Sequence, residues 1–113
     1  MVYNDGPLFG RVLTAMVTPF KADGSIDFDR AVALANRLAD NGSDGIVVSG
    51  TTGESPTLSH EEDAELAATI VKAVGERVAV VAGAGTNATN ESLILTRNAT
   101  AAGVDGVMLV VPY

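Results

Sequence analysis

The sequence predicts an α/β fold with a parallel sheet, because short apolar segments alternate with amphipathic segments along the chain. The strand-like segments are apolar on both faces, as in parallel sheets that helices cover. Glycine or a helix-capping residue marks most segment boundaries. Residues 41–48 (NGSDGIVV) also resemble residues 102–109 (AGVDGVML). In both segments a glycine ends a helix, and Asp-Gly then precedes a strand. Repeated βα units of this kind indicate a parallel sheet.

Local signals define the elements of the first half. The first strand, residues 11–17, ends at Thr18-Pro19, since proline cannot continue a hydrogen-bonded ladder. Asp27 predicts the N-cap of a first helix that reaches about residue 40 and ends at Asn41-Gly42. The second strand covers residues 44–49. The apolar face of the first helix is formed by Phe28, Ala31, Val32, Ala35, Leu38 and Ala39.

The second half repeats this pattern. Ser59 and Glu62 form a capping-box signature for a second helix that reaches Val74. The remaining predicted elements are a third strand over residues 77–82, a glycine-bearing loop over 83–87, a third helix over 88–102 closed by Gly103, and a fourth strand over 106–111.

Chain length limits the architecture that these units can build. Three βα units and one more strand are fewer than a (β/α)₈ barrel contains, because that fold takes about 250 residues. We therefore expect residues 1–113 to form a single, incomplete domain, which is the amino-terminal portion of a (β/α)₈ TIM barrel.

Composition excludes several function classes. The formal net charge of −7 argues against nucleic acid and against an anionic membrane surface, since both attract Lys and Arg. The chain has no cysteine, so it has no disulfide and no thiolate metal site. Its start carries no basic segment followed by an apolar run, and no stretch approaches the roughly 20 apolar residues of a membrane span. We expect a cytoplasmic protein without a metal.

The leading candidate site is the loop Gly50-Thr51-Thr52-Gly53-Glu54-Ser55, which directly follows the second strand. Ligands of parallel α/β proteins bind at the carboxyl ends of strands. The glycines allow a sharp turn, and the exposed N–H groups together with the Thr51 and Thr52 hydroxyls suit a carboxylate. Alternatively, this is a βα turn whose hydroxyls only cap backbone groups.

Four segments carry a resemblance to a known family: residues 14–20 (TAMVTPF), residues 50–55 (GTTGES), residues 81–85 (VAGAG) and residues 111–113 (VPY). With these segments in this order, the chain from about Gly10 onward resembles the pyruvate-dependent class I aldolase superfamily of N-acetylneuraminate lyase and dihydrodipicolinate synthase. The paired threonines followed by Glu54-Ser55 are most similar to the dihydrodipicolinate synthase branch, since neuraminate lyases usually carry Ser-Thr.

The resemblance implies a lyase that condenses pyruvate with aspartate semialdehyde in lysine and diaminopimelate biosynthesis, without a cofactor. Pyruvate forms a Schiff base with a barrel lysine. By position, Thr52 and Gly50 would bind the pyruvate carboxylate, and Thr51 would be catalytic, passing protons in a relay with tyrosines. The family resemblance also implies a homo-oligomer, specifically a homotetramer.

The sequence departs from that pattern at the lysine. The family's Schiff-base lysine lies on a later strand, whereas this chain has only Lys21, in a turn, and Lys72, on a helix. The relay tyrosine would follow Tyr113. We therefore expect the isolated chain to be inactive. Two alternatives remain: another pyruvate-dependent aldolase, or a non-catalytic half-barrel that assembles with copies of itself.

Two further signals have competing explanations. Residues 83–88 fit the dinucleotide fingerprint G-x-G-x-x-A, but the acidic residue at the expected distance, Asp105, precedes the fourth strand. Nucleotide binding is therefore the weaker hypothesis. Glu54 is expected to hold N–H groups of its own loop, and the acidic cluster at residues 61–65 is expected to be a solvated helix start.

The family resemblance also suggests regulation by lysine at a subunit interface. The matching positions are Ser55, His60, Asn87, Glu91 and Tyr113, with Asp63 in place of a second histidine that regulated relatives carry. A surface position is the alternative explanation for His60.

Overall fold

Four parallel strands and three helices make up the fold in the computed structural model, which describes residues 6–113. The strands are adjacent in chain order, so each helix connects two neighbouring strands. This confirms the predicted α/β class and the parallel sheet. The elements are β1 (Leu13–Ala15), α1 (Phe28–Asp40), β2 (Gly45–Val48), α2 (His60–Val74), β3 (Ala79–Gly83), α3 (Thr89–Ala102) and β4 (Gly106–Met108).

The strands are shorter than predicted, most clearly at the two edges of the sheet. β1 covers three residues of the predicted 11–17, and β4 covers three of the predicted 106–111. Each of these strands has a single neighbour, so its ladder extends only as far as that neighbour pairs with it. Apolar sequence therefore overestimated the length of the edge strands.

The first two helices begin after their predicted capping residues, whereas no side chain caps the start of α3. Arg30 N donates to Asp27 Oδ1 over 3.0 Å at the start of α1. Ser59 and Glu62 form both hydrogen bonds of a capping box at the start of α2. Gly42 (φ +105°) and Gly103 (φ +89°) adopt the left-handed conformation after α1 and α3. No helix within residues 6–113 is long and apolar enough to cross a membrane.

The core lies between the helices and one face of the sheet. Alternate strand positions point to the same face, and Ile46, Val48, Val80 and Ala82 form the core with side chains from all three helices. α2 is central, because it contacts both α1 and α3. Leu66 and Ile70 of α2 are fully buried.

The opposite face of the sheet is also apolar. By register, Leu13, Val47 and Val81 lie on this face, and Leu13 is 39% exposed. The described helices pack on the core face alone, which is the arrangement of a barrel wall, whereas a doubly wound sheet carries helices on both faces.

Candidate active site

The threonine loop lies at the carboxyl end of β2, as predicted. Gly50 is buried, whereas the side chains of Thr51 and Thr52 are exposed. Within residues 6–113, neither hydroxyl has a hydrogen-bond partner. These hydroxyls are therefore free to bind a ligand, and the alternative that they cap backbone groups is not supported.

Backbone and side-chain hydrogen bonds hold this loop in place. Glu54 N donates to Thr51 O over 3.0 Å, and Ser55 N donates to Gly50 O over 3.3 Å. Thr18, which follows β1, is 5% exposed and donates from Oγ1 to Gly53 O over 2.7 Å. Sequence reasoning treated Thr18 only as part of a strand stop. Its hydroxyl instead links the ends of two neighbouring strands.

Gly53 serves close packing, which differs from the sharp turn expected of both loop glycines. Neither Gly50 nor Gly53 has a positive φ; the left-handed residues are Ser49 (φ +54°) and Glu54 (φ +60°). A Cβ atom at Gly53 would lie 3.2 Å from Met16 O. The Glu54 carboxylate accepts no hydrogen bond from residues 6–113, so its expected role in holding the loop is wrong, and its backbone conformation shapes the loop instead.

The loops that follow the carboxyl ends of the strands form the rim of the sheet. Close packing between these loops explains the glycines of the dinucleotide fingerprint. A Cβ atom at Gly83 would overlap the Ser49 carbonyl oxygen, and one at Gly85 would lie 2.5 Å from Val110 N. The protein's own backbone therefore fills the space that a pyrophosphate would need. The Asp105 carboxylate, at the other end of the strands, accepts a hydrogen bond from Val80 N over 2.9 Å. These contacts argue against nucleotide binding.

Both lysines lie outside the rim, and both are exposed. Lys21 is in the turn after β1, where its N–H donates to Ser25 O, and Lys72 is in the last turn of α2. A Schiff-base lysine needs a desolvated site. Neither position provides one in the described part of the chain.

A second cavity brings together all the residues predicted to bind an effector. This cavity has a volume of about 340 Å³ and is lined by Ser55, His60, Asn87, Glu91 and Tyr113, with Asp63 beside them. Its lining includes two carboxylates and one imidazole but no Lys or Arg. Such a lining favours a ligand that carries an amine.

Asp63 differs from the other acidic residues at the start of α2. Its Oδ1 atom is buried without a hydrogen-bond partner in the described structure, as is Ser49 Oγ. Burial raises the pKa of the Asp63 carboxyl, while the nearby Ser49 hydroxyl and His60 lower this pKa to a smaller extent. The expected solvated helix start therefore holds for Glu61, which is exposed, but not for Asp63. Sequence reasoning missed Ser49 altogether.

A further cavity lies away from these sites, at the amino ends of the strands. It measures about 500 Å³, and Arg11, Asp44 and Arg77 are among its lining residues. It contains none of the predicted site residues. Within residues 6–113, no group of three His, Asp or Glu side chains is arranged to bind a metal ion.

Comparison with known proteins relates this geometry to one family. The family model described as "Dihydrodipicolinate synthetase family" matches residues 8–113. A 4-hydroxy-tetrahydrodipicolinate synthase from Moorella thermoacetica is 64% identical over 105 residues, which are 93% of this chain and 36% of that relative. The chain thus spans about a third of the length of the curated relatives it matches.

Solved structures of similar proteins also share the fold of this chain. Dihydrodipicolinate synthase from Bacillus anthracis has a TM-score of 0.90 at 55% identity, covering 93% of this chain and 36% of that one. The Cyanidioschyzon merolae enzyme with lysine bound has a TM-score of 0.89 at 50% identity, with the same coverage. The Acinetobacter baumannii enzyme complexed with pyruvate has a TM-score of 0.87 at 37% identity, covering 90% and 35%. The four strands and three helices therefore correspond to the first part of a (β/α)₈ barrel.

Proposed function

This chain belongs to the dihydrodipicolinate synthetase family, and on that premise we propose that it supplies the amino-terminal third of a lyase that condenses pyruvate with aspartate semialdehyde. The complete barrel would act in lysine and diaminopimelate biosynthesis as a cytoplasmic homotetramer. A lysine of a later strand would form the Schiff base with pyruvate. No group beyond side chains and substrates is required.

The observation that carries this proposal is the pair of unpartnered hydroxyls at the carboxyl end of β2. Thr52 donates a hydrogen bond to the pyruvate carboxylate, and the absent side chain of Gly50 lets the carboxylate approach the backbone. Thr51 relays a proton, because one hydroxyl can donate and accept hydrogen bonds at the same time. A complex of a family member with pyruvate supports this choice of ligand.

The experiment is a chimera in which residues 8–113 replace the matching part of the Moorella thermoacetica synthase. We expect this chimera to condense pyruvate with aspartate semialdehyde, because every contact among β1 to β4 is retained. An inactive but folded chimera would contradict the proposal. Activity with another aldehyde in place of aspartate semialdehyde would instead assign the chain to a different pyruvate aldolase.

The isolated chain provides the complementary test. Neither lysine is buried, so treatment with pyruvate and borohydride should leave the mass of the chain unchanged. The chimera should gain one reduced pyruvate on a lysine that the Moorella part supplies. A stable adduct on Lys21 or Lys72 together with turnover would show that the isolated chain carries its own Schiff-base lysine.

The second cavity supports regulation as a second function of the same barrel. Its carboxylates, Asp63 and Glu91, would bind the amino groups of lysine, and a family member has been solved with lysine bound. Calorimetry of the chimera with lysine should show heat that Glu91→Gln reduces. The absence of heat in the active chimera would exclude this regulatory site.

A further inference from the structure

Two buried oxygens behind the threonine loop lack partners. Ser49 is 3% exposed, and its Oγ atom has no hydrogen-bond partner in the described structure; the same holds for Asp63 Oδ1. Both residues, together with Asn98, line a small cavity of about 10 Å³ between the sheet, α2 and α3. Because unpaired buried oxygens are costly, two of them in one small cavity are expected to bind each other.

Ser49 also occupies the centre of the rim. It has a φ of +54°, which is unfavourable for a residue other than glycine, and it lies directly between β2 and Gly50. Its backbone oxygen leaves no room for a side chain at Gly83, and its backbone nitrogen would lie 3.2 Å from a Cβ atom at Gly53. Any change at Ser49 therefore acts on the turn that leads to Thr51.

We propose that Asp63 and Ser49 form a positioning pair, in which the Asp63 carboxyl binds the Ser49 hydroxyl and thereby fixes the turn that presents Thr51 and Thr52. The catalytic consequence of the pair rests on the function proposed above, whereas the contact itself does not. Asp63 also lines the second cavity. A ligand there contacts one member of the pair, which connects that cavity to the threonine loop.

Titration of Asp63 makes this pair observable. Burial raises the Asp63 pKa above the ordinary value of 3.8, so the carboxyl changes charge at a higher pH than an exposed aspartate. The titratable groups around it are His60 and Glu62 on its own helix, with Glu91 and Tyr113 across the second cavity. Asn98 of α3 faces it without a charge.

The test records the methyl resonances of Thr51 and Thr52 against pH, in the isolated chain and in the chimera, with assignments from Thr51→Ser and Thr52→Ser. We expect both methyl shifts to follow the Asp63 carboxyl, with a midpoint above 3.8. Asp63→Asn and Ser49→Ala should each abolish this transition, while His60→Gln and Glu91→Gln should retain it. A transition that survives in Asp63→Asn, or threonine shifts that do not respond to Asp63, would overturn the proposal.

Kinetics of the chimera provide a second readout of the same pair. Ser49→Ala should lower kcat/KM for pyruvate about 3- to 10-fold, the loss expected for one hydrogen bond. The double variant Ser49→Ala/Asp63→Asn should lose no more than Ser49→Ala alone, since the two residues act through one contact. Additive losses would contradict the pair. An inactive chimera would refute the proposed function. The methyl titration of the isolated chain would still test the pair of Asp63 and Ser49.

Discussion

At the scale of single residues, the rim is held by positions that lack a side chain. Gly83 and Gly85 allow the loops after β2, β3 and β4 to touch, and their spacing follows from close packing. The same spacing fits a nucleotide fingerprint, which shows that a glycine pattern alone does not distinguish a ligand from the protein's own backbone.

Gly83→Ala is expected to destabilise the chain by about 1–3 kcal/mol, because the new Cβ would overlap Ser49 O and the rim must shift. Gly50→Ala is the matched control on the same rim. Its Cβ would lie 3.3 Å from the flexible end of Met108 and at an ordinary contact distance of 3.7 Å from Val47 Cγ1, so the free energy of unfolding should change by less than about 1 kcal/mol. Urea unfolding followed by circular dichroism measures both; equal effects would refute this packing account.

The sequence was sufficient to place Thr51 and Thr52 at the carboxyl end of β2, because a hydroxyl pair directly after a strand is a local property. It was insufficient for Thr18, whose partner Gly53 lies 35 positions away in sequence. The same holds for Ser49 and Asp63, which line one cavity only because α2 packs on the sheet. Contacts of this kind depend on the register of strands and helices, and no local pattern records them.

At the scale of elements, the internal repeat has a structural meaning. Asp44 and Asp105, which occupy equivalent places in the two copies, both accept backbone hydrogen bonds: Asp44 from the segment just before β1, and Asp105 from β3. Asp44 Oδ2 binds Arg11 N and Val12 N over 2.8 and 2.9 Å, and Asp105 Oδ2 binds Val80 N over 2.9 Å. Each aspartate thus fixes where one strand pairs with the next.

Asp44→Asn should deprotect the amides of Arg11 and Val12 in hydrogen exchange, and Asp105→Asn should deprotect Val80 alone. The N–H groups of Arg11 and Val12 hold the pKa of the Asp44 carboxyl below its usual value. The stability that Asp44 contributes is therefore present above the ordinary pKa of 3.8 and is lost as the pH falls through the lowered value. Amide exchange that stays unchanged from the parent chain in both variants would show that these carboxylates do not set strand pairing.

Helix boundaries were predictable because capping uses neighbouring residues, as Ser59 and Glu62 show. Strand lengths were less predictable. The apolar residues after Met108 and before Leu13 favour extended backbone, but an edge strand can pair only where a neighbour provides partners.

At the scale of the whole molecule, the sheet has, within residues 6–113, two edges without a neighbouring strand and one apolar face that the helices do not cover. Leu13 and Met108 are 39% and 41% exposed on this face, and Val111 beyond β4 is 87% exposed. The fold class and the incomplete barrel were evident from sequence because βα repeats are local, and the family resemblance implies the same fold.

We expect the isolated chain to self-associate, because exposed strand edges and a contiguous apolar face both favour pairing with another copy. Sedimentation velocity should show a weight-average mass that rises with concentration above the 11.5 kDa of one chain. The chimera, in which later strands cover these surfaces, is the control and should not show this dependence. A well-folded monomer at high concentration would contradict the expectation.

The role of Thr52 is tested most directly by the KM for pyruvate of three chimera variants: Thr52→Val, Thr52→Ser and, as a surface control, Thr100→Val, whose hydroxyl only donates to Thr96 O. Losing a hydrogen bond to a carboxylate should raise KM about 10- to 100-fold in Thr52→Val. Thr52→Ser keeps the hydroxyl, so it and Thr100→Val should remain near the parent value. An unchanged KM in Thr52→Val would show that this hydroxyl does not hold the keto acid.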